Sequence, residues 1–333
     1  MKFEITTLDL RPDLYDQLIL LIEKCFHYEK THSFAVDFAP LFIREQWSNN
    51  SLLLLDGELS GHIGRRVVNL ELENELFPVN LIGGICLSEK SRGKGYFSTF
   101  FQEVLDSEKN KTTFSLLWSD QAELYQKFDF HQIGEIAQTG EKILNSPPKG
   151  FKKTLLKNLN TTELQRVKDL YNMMGDRYLM PKRTNKDWDT IALIESADLY
   201  LGPDAYFVAN KGQDLQNTIH EFGAADLTKF LKELSPYQLW LPLTEEISDF
   251  ASILYLGLMK AGDTKLFSEF IHKWSQKRIA ISRLTTEAIE FHFDDELYTL
   301  SPSSFLMGIW GPEKIEEFSS LGKDLYISGL DSI

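Results

Sequence analysis

A glycine-containing turn between a predicted strand and a predicted helix constrains this sequence most. Residues 81–87 form a short apolar run, which favours a strand that is covered on both faces. From Tyr96 onward apolar residues recur every three or four positions, which predicts one buried helix face. Between them, Gly93 and Gly95 let the backbone bend closely around a ligand and leave N–H groups pointing into the turn.

The chemistry of this turn predicts an anion-binding site. The positive end of the helix dipole and the free N–H groups of the first helical turn act on the same point as the charges of Arg92 and Lys94. The spacing is not that of a P-loop, because no Gly-Lys-Ser/Thr follows at the required distance, and it is not the three-glycine dinucleotide fingerprint. A basic surface turn without a ligand is the alternative interpretation.

Two stretches resemble the GNAT superfamily of N-acetyltransferases. The superfamily's cofactor loop reads Arg/Gln-x-x-Gly-x-Gly/Ala after a central strand, and Arg92 and Gly95 match its first two fixed positions. Phe97 stands where glycine or alanine is usual; a bulky residue there is also known in a branch similar to the enhanced-intracellular-survival acetyltransferases. Residues 122–130 resemble the Tyr-x-x-x-Gly-Phe segment of the superfamily, with Tyr125 at the tyrosine position and Asp129 in place of the glycine.

The resemblance implies a fold and a cofactor. The expected fold class is α/β (α+β), with a mixed, mostly antiparallel sheet flanked by helices and present twice in tandem. The expected co-substrate is acetyl-CoA, without a metal. The strand and the turn would then supply the cofactor-binding residues, which are Ile85, Cys86, Leu87, Arg92, Gly93, Lys94, Gly95, Tyr96, Phe97 and Ser98.

The resemblance also implies a reaction, the transfer of an acyl group to an amine by direct attack in a ternary complex. In the family the tyrosine at the place of Tyr125 often protonates the departing thiolate of coenzyme A; a packing role for this ring is the alternative. Residues 79–87 contain no acid, so His62, Glu58 or ordered water are the candidates for the base. In the survival-acetyltransferase branch the terminal carboxylate takes part, which implies such a role for Ile333.

The acceptor is expected to be a small-molecule or peptide amine, and the aromatic-rich residues 26–50 would form a wall of its site. The alternative function belongs to another class. It is a non-catalytic acyl-CoA-binding or protein-interaction module that keeps the fold without turnover, which the changed residues Phe97 and Asp129 would allow.

The length of 333 residues is sufficient for two domains. Residues 145–150, Asn-Ser-Pro-Pro-Lys-Gly, interrupt both helix and strand patterns and predict a linker. We expect a GNAT domain with the acetyl-CoA site over residues 1–148 and a diverged GNAT-like domain over residues 149–333. The second half lacks the anion-binding turn, so no cofactor is expected there. Residues 279–307 are predicted to add strands that complete its sheet.

Charge and cysteine content argue against several classes of protein and of binding site. The formal net charge of −14 argues against nucleic-acid binding by broad phosphate neutralisation, and no apolar window reaches the length of a membrane span. Cys25 and Cys86 lie far apart in the sequence and do not form a disulfide framework, which favours a reducing, cytoplasmic location. His220 and Glu221 lack the second histidine of a zinc motif and are interpreted as a structural pair.

Overall fold

Strands and helices alternate along the chain in the computed structural model, which describes residues 2–243 and 251–333. The strands are β1 (Phe3–Thr7), β2 (Asn50–Leu55), β3 (Glu58–Leu72), β4 (Glu75–Leu87), β5 (Phe114–Leu117), β6 (His131–Ile133), β7 (Ile136–Thr139), β8 (Lys152–Thr154), β9 (Tyr178–Leu179), β10 (Asp198–Leu201), β11 (Ala205–Ala209), β12 (Ile219–Ala224), β13 (Leu239–Pro242), β14 (Ser252–Leu254), β15 (Gly257–Ala261), β16 (Ile279–Leu284), β17 (Ile289–Phe293), β18 (Glu296–Leu300) and β19 (Asp324–Leu325). The helices are α1 (Tyr15–Cys25), α2 (Phe34–Asp37), α3 (Ala39–Phe42), α4 (Tyr96–Glu108), α5 (Ala122–Gln126), α6 (Thr161–Met174), α7 (Asn185–Ile191), α8 (Leu227–Leu234), α9 (Thr264–Trp274), α10 (Pro302–Trp310) and α11 (Glu316–Ser319). Among the described residues, no helix combines the length and the apolar character needed to cross a bilayer.

The first sheet has seven strands in the order β1-β2-β3-β4-β5-β15-β6. Strands β1 to β4 are antiparallel neighbours, and β4 pairs with β5 in parallel. The β2–β3 hairpin turns at Asp56 and Gly57, whose φ angles of 51° and 85° are those that a tight Asp-Gly hairpin turn requires. The antiparallel strands that lead to the predicted cofactor strand are therefore confirmed.

The second sheet repeats this arrangement with strands in the order β14-β7-β13-β12-β11-β10-β8. Strands β10, β11 and β12 are antiparallel, and β12 pairs with β13 in parallel, as β4 does with β5. Helix α6 packs on β12 and starts at Asn160, whose side chain accepts the N–H of Glu163 at 3.0 Å. The two halves of the structure are thus mixed, mostly antiparallel sheets flanked by helices, as expected.

The two sheets exchange one strand each. Strand β7 lies before the predicted linker and pairs between β13 and β14 of the second sheet. Strand β15 comes from the second half and pairs between β5 and β6 of the first sheet. Each sheet therefore takes one strand from the other side of residue 148, and the division of the chain into domains at that residue stays a prediction.

Residues 279–300 form strands as predicted, but the prediction that these strands complete the second sheet is wrong. Strands β16, β17 and β18 form a separate three-stranded antiparallel sheet, and residues 302–310 are helix α10. The helix begins because the Ser301 hydroxyl accepts the N–H of Ser304 at 3.1 Å and Pro302 occupies the first helical position. Ser301-Pro302 is a helix-start signal in the sequence, but the apolar run that follows it also favours a strand.

Residues 326–333, here called the terminal segment, are buried between the two sheets. The Tyr326 hydroxyl donates to the carbonyl of His220 on β12 at 2.5 Å. Near the other end, Arg66 on β3 donates to the carbonyl of Asp331 at 3.2 Å. The terminal segment therefore contacts both sheets, and its end reaches the site described next.

Candidate active site

A cavity of about 790 Å³ lies between the two sheets. The predicted cofactor strand, the glycine turn, Tyr125 and the aromatic stretch all contribute to its wall. The lining residues are Cys25, Phe26 and His27 at the end of α1, Phe34 and Phe38 at α2, Gly83, Gly84, Ile85, Cys86 and Leu87 on β4, Arg92, Gly93 and Phe97 at the turn, Trp118, Ser119, Asp120, Gln121, Leu124 and Tyr125 around α5, Lys211, Asp214, Leu215 and Trp240 from the second half, and Ser332 and Ile333 of the terminal segment.

Strand β4 separates from β5 at this cavity. The parallel register runs from Val79 opposite Phe114 to Ile82 opposite Leu117 and stops there, while β4 continues to Leu87. Among the described residues, no strand pairs with this edge of β4 beyond Ile82. Side chains already contact the carbonyls of Gly84 and Leu87. The other backbone groups of residues 83–87 on this edge could pair with an extended ligand, which would add to the sheet like a strand.

The predicted anion-binding turn adopts the conformation that its glycines allow. Gly93 and Gly95 have φ angles of 69° and 82°, and Gly95 directly precedes the first residue of α4. A Cβ atom at either glycine would meet no other atom within 4 Å, so the space in front of the turn is open. Arg92 and Phe97 line the cavity, and the remaining predicted residues, Lys94, Gly95, Tyr96 and Ser98, continue the turn beyond its lining.

Tyr125 on α5 lies in the cavity wall with only 5% of its surface exposed. Its ring packs edge-to-face against Phe97, with ring centroids 6.0 Å apart. Burial raises the pKa of the Tyr125 hydroxyl to about 12, although a hydrogen bond with Ser119 acts in the opposite direction. The phenol is therefore protonated at neutral pH and can act as a proton donor.

Asp129 stands where the superfamily pattern has a glycine. The sequence required a left-handed or turn conformation at this position, and Asp129 has a φ of 65°. Its carboxylate accepts from the amino group of Lys260 on β15 at 3.0 Å, and the same amino group donates to the carbonyl of Phe128 at 2.7 Å. The exchanged strand thus helps to hold the turn that follows Tyr125.

The main chain of Ile333 lies directly on β4. A Cβ atom at Gly83 would be 2.0 Å from the main-chain oxygen of Ile333, so no larger residue fits at position 83 without movement. The other two predicted base candidates lie elsewhere and are not among the lining residues. His62 is fully buried, with Nδ1 2.7 Å from the Gly84 carbonyl, and burial lowers its pKa to about 4. Glu58 forms an exposed ion pair with Lys90.

A buried network of charged side chains holds the terminal segment. Arg183 donates to the Glu221 carboxylate at 2.9 and 2.5 Å and to the Asp331 carboxylate at 2.7 Å. Arg66 lies 3.6 Å from the other oxygen of Asp331. Burial opposes ionisation of Glu221, but Arg183 and Ser328 still keep its pKa below the usual range. Glu221 therefore has a structural role, and two cations and two anions balance each other in the protein interior.

Lys211 holds the last residues from the second half of the chain. Its amino group donates to the carbonyls of Gly329 and Ser332, both at 2.7 Å, and lies 4.2 Å from the centre of the Phe38 ring. Burial lowers its pKa to about 7. No local sequence signal marks Lys211, because its role depends on contacts with residues more than a hundred positions away.

The aromatic stretch of residues 26–50 divides between the cavity and the core. Phe26, Phe34 and Phe38 line the cavity, while Trp47 stacks on Tyr15 with centroids 5.6 Å apart. The opposite wall comes from the second half, including the carboxylate of Asp214 and the ring of Trp240. No local sequence signal marks these two residues, since only the packing of the two sheets brings them to the cavity.

Comparison with known proteins agrees with this geometry. Residues 8–133, which include the strand, the turn and Tyr125, match the model of the acetyltransferase (GNAT) domain. Proteins with this domain transfer acyl groups from acyl-CoA co-substrates. A search of curated protein sequences found no match.

Solved structures with the same fold extend over nearly the whole chain. A probable N-acyltransferase from Enterococcus faecalis has a TM-score of 0.58 at 14% identity, covering 92% of this chain and 86% of that one. Eis1 from Mycobacterium abscessus has a TM-score of 0.57 at 11% identity, covering 92% and 90%. An N-myristoyltransferase from Saccharomyces cerevisiae, solved with bound myristoyl-CoA, has a TM-score of 0.52 at 10% identity, covering 79% and 80%. At these identities the likeness shows the shared fold.

Proposed function

We propose that the protein is an N-acyltransferase that moves an acetyl group from acetyl-CoA to an amine acceptor by direct attack in a ternary complex. The observation that carries this proposal is the cavity of about 790 Å³, in whose wall the open edge of β4, the glycine turn, Tyr125 and Ile333 meet. The GNAT domain over residues 8–133 supports acyl transfer in general. The acetyl group, the amine and the roles of single residues are our inference.

The cofactor would lie along the open edge of β4. Its pantetheine arm would pair with the backbone of Ile85, Cys86 and Leu87, where β5 no longer occupies the edge. Its pyrophosphate would bind at residues 92–98, where the N-terminus of the 13-residue helix α4 and the charges of Arg92 and Lys94 favour an anion. This placement fixes the thioester near Gly83 and Gly84.

The acceptor would enter from the side of Phe26, Phe34 and Phe38, and its neutral amine would attack the thioester carbonyl. Holding both reactants in one cavity replaces a bimolecular encounter with an oriented one. Backbone N–H groups of β4 would stabilise the oxyanion, and Tyr125 would give its proton to the leaving sulfur of coenzyme A. The raised pKa of Tyr125, about 12, keeps that proton in place before the reaction.

An acceptor amine is mostly protonated at neutral pH, so a base must remove a proton before attack. We propose the main-chain carboxyl group of Ile333 for this role, because it lies on β4 at Gly83 beside the proposed thioester position. His62 and Glu58 do not line the cavity. This role requires a chain that ends at Ile333. The intact mass of the purified native protein tests that requirement.

Thiol release tests the function. The protein is incubated with acetyl-CoA and a panel of amines, including a diamine, an aminoglycoside, an amino acid and a short peptide, and free coenzyme A is measured with a colorimetric thiol reagent. We expect thiol release that depends on one class of amine. Acetyl-CoA binding in calorimetry without acceptor-dependent thiol release would instead support the non-catalytic acyl-CoA-binding module.

Exchange of Tyr125 for phenylalanine tests the proton donor. The ring keeps its packing against Phe97 but loses the hydroxyl, so turnover should fall by about 10²–10⁴-fold while acetyl-CoA affinity hardly changes. Tyr125→Ala is the control for packing and should lower the free energy of unfolding by about 3–5 kcal/mol. Wild-type turnover in Tyr125→Phe would remove the hydroxyl from the mechanism.

A further inference from the structure

The two cysteines of the chain are neighbours in the structure, although they lie far apart in the sequence. Cys25 is the last residue of α1, Cys86 lies on β4, and both are free thiols. The Cys25 side chain contacts the carbonyl oxygen of Leu87, the residue that follows Cys86, and each thiol shifts the pKa of the other. Both line the cavity, Cys25 as a half-buried residue and Cys86 with 7% of its surface exposed. A reagent that enters the cavity therefore meets two adjacent thiols.

The surroundings of the two thiols differ in charge. The Cys25 Sγ lies 3.3 Å from the carbonyl oxygen of Leu87, and the Arg92 Nε donates to the same oxygen at 3.1 Å, so the guanidinium is beside Cys25. The Cys86 thiol and Arg92 both stabilise a Cys25 thiolate and lower its pKa to about 6, against the effects of burial and of Glu89. Glu89 itself lies 3.9 Å from Lys24.

The Cys86 thiol is held in its protonated form. Its interaction with Cys25 and its burial raise the pKa of the Cys86 thiol well above the ordinary value. At neutral pH the pair therefore consists of one thiolate that the cavity exposes and one protonated thiol behind it. This is the arrangement that makes cysteines sensitive to oxidation, because the thiolate reacts first and a resolving thiol stands next to it.

We propose that Cys25 and Cys86 form a redox-active pair, which hydrogen peroxide converts to a disulfide in the wall of the cavity. The Cys25 thiolate attacks the peroxide, an S–O bond forms, the O–O bond breaks, and the hydroxide that leaves takes up a proton to become water. The Cys86 sulfur then attacks the sulfenic acid of Cys25, so that the S–S bond forms, the S–O bond breaks and a second water leaves. Two electrons pass from the two thiols to one peroxide, and a dithiol reductant reverses the change.

The disulfide would change the site of the proposed cofactor. It would tie the end of α1 to β4 beside Leu87 and remove the thiolate that faces Arg92, one of the proposed pyrophosphate ligands. Acetyl-CoA along β4 would in turn shield Cys25 from peroxide. This consequence rests on the proposed function, whereas the formation of the disulfide does not.

The experiment uses the reduced full-length protein and substoichiometric to equimolar hydrogen peroxide. After alkylation of the remaining thiols under denaturing conditions, peptides are mapped by mass spectrometry without reduction. We expect a Cys25–Cys86 cross-linked peptide within one chain, a fall in free thiols from two to none, and full recovery with dithiothreitol. Oxidation of Cys25 to the sulfinic acid without a cross-link, an intermolecular disulfide, or two unreacted thiols would each overturn the proposal.

Single serine variants assign the two roles. In Cys86→Ser, peroxide should stop at a sulfenic acid on Cys25 that dimedone traps, because the serine hydroxyl keeps a hydrogen-bond donor but cannot resolve the oxidised sulfur. In Cys25→Ser, the remaining thiol should react at least about 30-fold more slowly, as expected for a protonated thiol. Equal rates in the two variants would contradict the assignment.

A parallel reaction with saturating acetyl-CoA separates this proposal from the proposed function. If acetyl-CoA slows the cross-linking, the result supports both the redox-active pair and the position of the cofactor along β4. Cross-linking at an unchanged rate leaves the thiol pair in place and refutes the position of the cofactor along β4.

Discussion

Replacing Asp331 by asparagine should loosen the terminal segment and with it the main chain of Ile333. The Asp331 carboxylate accepts from Arg183 at 2.7 Å and lies 3.6 Å from Arg66, and it is fully buried. Asparagine has almost the same shape but no charge. Arg183 would keep Glu221 as its buried counter-ion, whereas Arg66 would keep only Asp187, which is 3.9 Å away and 35% exposed.

The magnitude follows from the burial of the group. Removing one partner of a buried charge pair costs about 3–5 kcal/mol, because the remaining charge stays in the interior without compensation. At about 2 °C per kcal/mol for a protein of this size, the melting temperature should fall by about 6–10 °C. Since Asp331 lies two residues before Ile333, turnover should fall by about 10²-fold, the effect of a reacting group displaced by about 1 Å.

The assay compares melting temperature, acetyl-CoA affinity and turnover. Affinity should hardly change, because the glycine turn lies in the first sheet away from the network. Asp324→Asn is the matched control: its carboxylate is 3.0 Å from Lys314 but is 41% exposed, so its loss should cost less than about 1 kcal/mol. A melting temperature of Asp331→Asn equal to that of the control would refute the argument that the network holds the segment.

Three further predictions follow from single contacts. Gly95→Val should abolish acetyl-CoA binding, because the side chain fills the open space before the turn. The control Gly57→Val, at a similar φ of 85° in an open hairpin, should lower stability through backbone strain and leave binding unchanged. Calorimetry measures the loss of binding, and melting curves measure the loss of stability. Gly83→Ala should lower turnover more than affinity, because its Cβ displaces Ile333, and a fully active variant would contradict this placement. The rate of iodoacetamide alkylation of Cys25 in Cys86→Ser should rise with pH to a plateau with a midpoint near the lowered pKa of about 6, and a midpoint near 8.5 would show an ordinary thiol.

The local parts of the site could be predicted from the sequence. The turn at residues 91–96 follows from glycines that permit positive φ and from the helix that begins at Tyr96, and both are properties of adjacent residues. The same is true of the hairpin at Gly57 and of the left-handed Asp129. These features depend on backbone sterics and on periodicity, which a single sequence displays.

The remaining parts depend on contacts between distant residues. Cys25 and Cys86 were interpreted as separate thiols, because nothing in their local sequence shows that α1 packs beside β4. Lys211 reads as an ordinary surface lysine until its two bonds to the terminal segment are known. Arg183 resembles a solvated cation, yet it is buried between Glu221 and Asp331. A charged side chain is buried only when its partners arrive from elsewhere, and that pairing is not encoded in any short window.

The exchange of β7 and β15 explains why one active site requires both halves of the chain. Strand β15 lies beside β5, and its Lys260 holds the turn at Asp129 that follows Tyr125. The second half also supplies Lys211, which holds the end of the terminal segment against β4. A fragment that ends at residue 148 would lack both supports and would expose the backbone edges of β5 and β6, which are sites for non-native pairing. The turn after β12 lacks the arginine and the second glycine of the turn after β4, but the second half of the chain helps to position the proposed acid and the proposed base at the first sheet.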